Sequence, residues 1–217
     1  PQKKFRARKP DDVLQDIQNA ARSLGGVRRV FLADGDAMVL PTRRLLEILA
    51  RLREAFPDLQ RVSSYCLPRN LAKKTVEELA QLKEAGLQIL YVGMESGDDE
   101  ILRRVNKGET WESTRSALLK IREAGLTSSV MVLNGLGGES LSRQHAINTA
   151  TLCNETQPDY LSTLVVSFPQ GEERFREGFG DDFVPLSQQG LFEEIRLFLE
   201  HLELDKTIFR SDHASNY

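Results

Sequence analysis

Short apolar runs alternate with amphipathic helical stripes almost without a break along these 217 residues, and that alternation limits the fold more than any other feature. Runs of strand length bounded by turn residues read as buried strands, and apolar residues three and four apart read as helices packed on them. A first helix from about Asp11 carries Val13, Leu14, Ile17, Ala21 and Leu24 on one face, and Gly25-Gly26 ends it. A strand over Val27 to Asp34 follows. Pro41 and Thr42 open a helix with the stripe Leu45, Leu49, Leu52 and Phe56, stopped by Pro57. The pattern continues with a strand over Arg61 to Cys66, a helix through Val76, Leu79 and Leu82, and a strand that ends at Glu95. Then come strands over Ser129 to Asn134 and Tyr160 to Ser167, a helix from about Leu141 between them, and a helix over about Leu191 to Leu204.

Regular βαβα order implies α/β architecture with a parallel sheet and right-handed crossovers. Five strands lie inside the chain and a sixth can begin at Thr207, short of the eight that close a TIM barrel. The expected fold is therefore an open or partial parallel βα barrel of about six strands, or a doubly wound sheet. No linker composition divides residues 1–217, so a single domain is expected. The net charge of −3 offers no general nucleic-acid footprint. The basic arm Lys3 to Lys9 reads as solvated. No apolar stretch reaches the roughly 18 residues of a membrane span. Cys66 and Cys153 have neither metal-ligand spacing nor secretory context. A soluble, cytoplasmic protein is expected.

In a parallel sheet the strand C-termini face one way, and ligands gather there. The loops at those ends contribute Asp34-Gly35-Asp36, Ser64 to Asn70, Glu95-Ser96-Gly97, Asn134 to Glu139 and Ser167 to Glu172. Glu95 and Ser96 place an acid and a hydroxyl at a strand end, although a residue there also serves as an ordinary helix cap. The glycines of Asn134 to Ser140 permit close approach of a ligand, but the loop fits neither GxGxxG nor a P-loop. No HExxH pair and no GxSxG elbow occurs. His145 and His201 fall within helices as surface or satisfied positions. With so little side-chain chemistry on offer, a cofactor is the more economical expectation.

Three segments resemble the radical S-adenosylmethionine (SAM) superfamily, in particular the iron–sulfur oxidoreductase branch near anaerobic coproporphyrinogen oxidases and tRNA-modifying enzymes. FLADGDAMVLP (Phe31 to Pro41) resembles the segment whose turn presents backbone carbonyls to the SAM amino group, with Gly35 and Asp36 in that turn. YVGMESGDDEILRRVNKGET (Tyr91 to Thr110) is similar to the signature whose acid contacts the ribose hydroxyls; Glu95 matches it, with Ser96 alongside. SVMVLNGLGGES (Ser129 to Ser140) resembles the motif that packs on adenine, through Leu133, Gly135 and Gly138. The resemblance implies a six-strand partial barrel, SAM and a 4Fe–4S cluster as cofactors, and an electron donor such as flavodoxin or ferredoxin as partner. It also implies reductive cleavage of SAM to a 5′-deoxyadenosyl radical, acting on an unidentified small or macromolecular substrate.

One departure outweighs the matches: the CxxxCxxC loop that holds the cluster is absent. The chain is accordingly expected to be a fragment that lacks the first strand, binds no cofactor as it stands and is inactive alone. Its open edge is expected to favour self-association. A second departure is SFPQGEERF (Ser167 to Phe175), where related proteins often have a Pro-Gly-Thr-like turn. Two other readings remain: a cluster-free binding or scaffold module of the same fold, and a metal-independent α/β enzyme with Glu95 and Asp36 as acid and base.

Overall fold

A computed structural model describes residues 6–169, 171–212 and 216. Lys3 and Lys4 of the basic arm, Gln170 of the Ser167 to Phe175 segment, and His213 lie outside the described residues. Six strands form one open sheet in the order β1-β2-β3-β4-β5-β6, which is the chain order. Sequential order with parallel pairing is the strand arrangement of a partial βα barrel. The chain divides into two compact units, one of residues up to Tyr91 with Lys120–Thr127, the other of Val92–Leu119 with the residues from Ser128 on.

In the first unit, β1 (Arg29–Leu32) pairs in parallel with β2 (Arg61–Cys66), Arg29 opposite Arg61 and Phe31 opposite Ser63. Helix α1 (Pro10–Ser23) starts with proline in its first turn and Asp11 and Asp12 against the positive end of the helix dipole. Helix α2 (Thr42–Ala55) buries Leu45, Ile48, Leu49 and Leu52 and packs against α1 and against α4 (Val76–Glu84). Thr75 and Glu78 form a reciprocal capping box at the start of α4. The short α3 (Pro68–Leu71) follows β2, and β3 (Leu87–Glu95) begins in this unit. The β1 strand is shorter than the expected Val27 to Asp34 because Asp34 (φ 61°) and Gly35 (φ 139°) leave the extended region. Leu24, expected on the buried stripe of α1, is 57% exposed, since the chain turns extended there.

In the second unit, β4 (Thr127–Asn134), β5 (Tyr160–Val165) and β6 (Ile208–Arg210) pair in parallel, Ser129 opposite Tyr160 and Tyr160 opposite Ile208. Helix α5 (Asp99–Arg104) follows β3, and α6 (Trp111–Glu123) leads to β4. Helix α7 (Gly138–Thr156) packs against α9 (Gln188–Glu200). Between β5 and α9 lies α8 (Glu173–Phe179), which the residue pattern does not announce. Phe168, Phe175, Phe179 and Phe183 pack together there at ring-centroid separations of 4.6 to 6.1 Å. Among the described residues no helix is long and apolar enough to cross a membrane.

Candidate nucleoside site at the strand ends

Glu95 closes β3 with φ 62°, a left-handed conformation that a non-glycine residue adopts at a cost of about 1–3 kcal/mol unless its surroundings hold it there. Two features hold it. Its carboxylate pairs with Lys107 Nζ at 2.5 Å. It also lies over Gly93, where a Cβ would stand 2.6 Å from Glu95 Oε1. Residues two apart on a strand share a face, so the glycine makes the room that the carboxylate occupies.

The next three residues turn the other way and grip α7. Ser96 is fully buried. Its Oγ sits 2.8 Å from His145 Nδ1 and accepts the Asp98 N–H at 3.0 Å. The Gly97 N–H donates to Thr149 Oγ1 at 2.9 Å, and a Cβ on Gly97 would come within 2.6 Å of the Asn148 carbonyl oxygen. Asp98 caps α5 by accepting the Ile101 N–H, and its other oxygen accepts from Gln144 and Asn148. Of the side chains of Glu95, Ser96 and Asp98, only that of Glu95 bonds to Lys107 and not to α7.

His145 Nε2 is 3.0 Å from the Leu133 carbonyl oxygen, which can only accept, so Nε2 carries the hydrogen and Nδ1 accepts from Ser96. Burial pushes the imidazole pKa down, favouring the neutral ring, against the opposing pull of Glu194. Glu194 is itself buried, 3.9 Å from His145 Nε2, and accepts at 2.6 Å from both the Gly135 N–H and Ser142 Oγ–H. The sequence reading did not single out Glu194. Its signal is a charged residue between Leu191 and Phe198 on the inward stripe of α9.

Leu133, next to last in β4, is half-buried, while Gly135 (φ 81°) in the loop that follows and Gly138 (φ 58°) at the start of α7 are buried. A side chain at Gly138 would meet the Val184 carbonyl at 2.8 Å. A cavity of about 450 Å³ opens beside Gly135, walled by Val165, Val166, Phe168 and Leu191 among others. In the first unit, Gly35 and Asp36 follow β1. Asp36 accepts from the Met38 N–H at 2.7 Å, from Asn70 Nδ2 at 2.7 Å and from the Leu67 N–H. Both carboxylate oxygens are thus engaged in tying the turn after β1 to the turn after β2. Lys74, whose ammonium burial makes easier to deprotonate, donates to the Leu40 carbonyl in the same region. Glu95, Ser96, Leu133, Gly135 and Gly138 belong to the second unit, and Gly35 and Asp36 to the first.

Residues 1–150 match the sequence pattern of the radical SAM superfamily. The chain belongs to the radical SAM superfamily. Its members use SAM and a 4Fe–4S cluster. Within the superfamily the chain is 24% identical over 140 residues to the heme chaperone HemW of Bacillus subtilis, covering 63% of this chain and 37% of that protein. It is 24% identical over 148 residues to the ribosomal protein uS12 methylthiotransferase RimO of Clostridium botulinum, covering 63% of this chain and 32% of that one. The chain therefore spans about a third of the length of the curated relatives it matches. In fold it is similar to coproporphyrinogen III oxidase (HemN) from Escherichia coli, with a TM-score of 0.71 and 23% identity, over 88% of this chain and 44% of that one.

The two cofactors fare differently against the residues present. Among the described residues no group of three or more His, Cys, Asp or Glu is placed to hold a metal ion. Cys66 and Cys153 are both buried, and burial lifts the Cys153 thiol pKa to about 12, far from the thiolate that an iron needs. The described residues do not fit a cluster. The second unit holds an acid at a strand end and, lined by other residues, a partly apolar cavity beside Gly135.

Proposed function

We propose that this chain is the SAM-binding core of a radical SAM enzyme, with its described residues serving the nucleoside and not the cluster. The observation that carries the reading is Glu95, held in a strained conformation over Gly93 with its carboxylate at the end of β3. In this reading Glu95 accepts from the ribose hydroxyls, with the buried Ser96 holding the turn from below. Leu133, Gly135 and Gly138 form the adenine wall beside the cavity at Gly135. In the first unit, taken by itself, the Asp36 carboxylate is already engaged, so Gly35 and Asp36 have only backbone atoms for the methionine-end role that the resemblance implies. For the whole protein the proposal is the superfamily's reaction, reductive cleavage of SAM to a 5′-deoxyadenosyl radical that abstracts hydrogen from a substrate. No step of that reaction is assigned to the residues described above, and the chain alone is proposed to be inactive. An electron donor such as flavodoxin or ferredoxin belongs to the same proposal.

Calorimetry with S-adenosylhomocysteine tests it on the chain as it stands. Glu95→Ala removes one charge-assisted hydrogen-bond acceptor, worth about 1.5–3 kcal/mol, so affinity falls about 10- to 150-fold. Equal affinity in both proteins removes Glu95 from the site. A cluster-free binding module is the second reading, favoured by the lack of a metal-holding group among the described residues. Iron and sulfide analysis of the full-length protein, purified anaerobically, separates the two.

A further inference from the structure

The face of the first unit's sheet away from the helices is unusual for its side chains. Along β2, Val62, Ser64 and Cys66 are buried on the helix side, while Arg61, Ser63 and Tyr65 point the opposite way. Arg29 and Phe31 of β1 share that second face through their register with Arg61 and Ser63. Phe31 is 39% exposed and Tyr65 46% exposed, yet they meet at 4.8 Å between ring centroids. Tyr91 of β3 completes the group, 5.3 Å from Phe31 and 6.3 Å from Tyr65. The rings tilt at 64°, 52° and 71° to one another, so they present both edges and π faces to whatever lies above them.

Charge selects what that occupant is. Arg29 and Arg61 stand directly opposite each other on neighbouring strands, an arrangement that like charges oppose. Neither guanidinium has an ion pair or hydrogen bond with a described residue, and Arg61 Nε is buried without a partner. Arg29 precedes Phe31 by two residues, about 6.6 Å along the strand, within reach of its long side chain. Two arginines would repel a cation that the rings alone would welcome, and they favour an anion held by fork geometry.

We propose that Phe31, Tyr65 and Tyr91, together with Arg29 and Arg61, bind a planar aromatic ring bearing an anionic group. The rings hold the ring system, and the arginine pair holds the carboxylate or phosphate. The five residues lie wholly in the first unit, and none of them is assigned to SAM, so either assignment can fail without the other.

The test is calorimetry and side-chain NMR on this chain with 2-naphthoate, 2-naphthyl phosphate, neutral 2-naphthol and non-aromatic cyclohexanecarboxylate. The expected result is one-to-one binding of a charged naphthyl probe, with shifts in the Phe31, Tyr65 and Tyr91 ring resonances. Neutral naphthol and the cyclohexane acid each bind about tenfold more weakly, for loss of the ion pair or of stacking. The two charged probes compared with each other identify the preferred anion. Tyr65→Ser and the double variant Arg29→Gln/Arg61→Gln each weaken binding about tenfold, while circular dichroism confirms that they fold. Phe31→Leu, which keeps apolar bulk, is the second variant if Tyr65→Ser is unstable. Absence of binding at millimolar probe, equal affinity for charged and neutral probes, or unchanged binding in the variants overturns the proposal. So does a concentration-dependent dimer that Tyr65→Ser abolishes, because the face would then belong to a second copy of the chain.

Discussion

His145 makes the stability of this fold depend on pH in a direction the structure dictates. Its ring is 2% exposed, donates from Nε2 to the Leu133 carbonyl and accepts at Nδ1 from Ser96. A proton on Nδ1 would put a charge in a buried site and turn a donor toward a hydroxyl that now donates to it. Burial lowers the folded-state pKa below the ordinary value of about 6.5, and Glu194 opposes the shift without reversing it. The unfolded chain therefore takes up the proton first as pH falls. The stabilising contribution is complete above about pH 6.5 and is lost as pH drops toward the folded-state pKa. One such group removes at most about 1.4 kcal/mol between pH 7.5 and 5.5, the full amount only if the ring stays neutral throughout. Urea unfolding followed by Trp111 fluorescence at both pH values measures this, with the slope against urea confirming an unchanged transition. His145→Gln retains a donor for Leu133 and an acceptor for Ser96, and should flatten the dependence. Equal stability at the two pH values, or the same loss in the glutamine variant, would refute the argument.

Other perturbations probe the same region. Gly97→Ala drives a methyl group into the backbone of α7 at Asn148 and Thr149, and should cost about 1–3 kcal/mol in urea unfolding. Asp36→Ala strips three donors of their shared acceptor and should destabilise the first unit by about 2–4 kcal/mol, read as a fall in the denaturant midpoint. Gly93→Ala displaces the Glu95 carboxylate, so S-adenosylhomocysteine binding should weaken about tenfold at nearly constant melting temperature. Glu194→Gln preserves an acceptor for the Gly135 N–H and should keep most of the stability that Glu194→Ala loses, compared by thermal melting.

The strands were legible because their signals are local, whereas their order followed only from the family resemblance. The run Arg61 to Cys66 is a strand over those same residues, and the sixth strand forms just past Thr207. Helix α8 was not legible, since phenylalanines drawn together from 168, 175, 179 and 183 organise that region in place of a helical stripe. At the candidate site the strand-end motif stood out, but its division of labour did not. The partners of Ser96, Gly97 and Gly135 lie roughly 50 to 60 residues away in sequence. Tertiary packing alone brings them together, so no spacing rule could reveal that Ser96 faces His145 and not the strand end.

That division has an evolutionary meaning. Ser96, Gly97 and Asp98 anchor the turn to α7, whereas Glu95 contributes nothing to the anchor. The residue that would meet a ligand can therefore be exchanged while the mount beneath it stays fitted to its helix. A chain built this way can try new chemistry at one position without relearning how to fold around it.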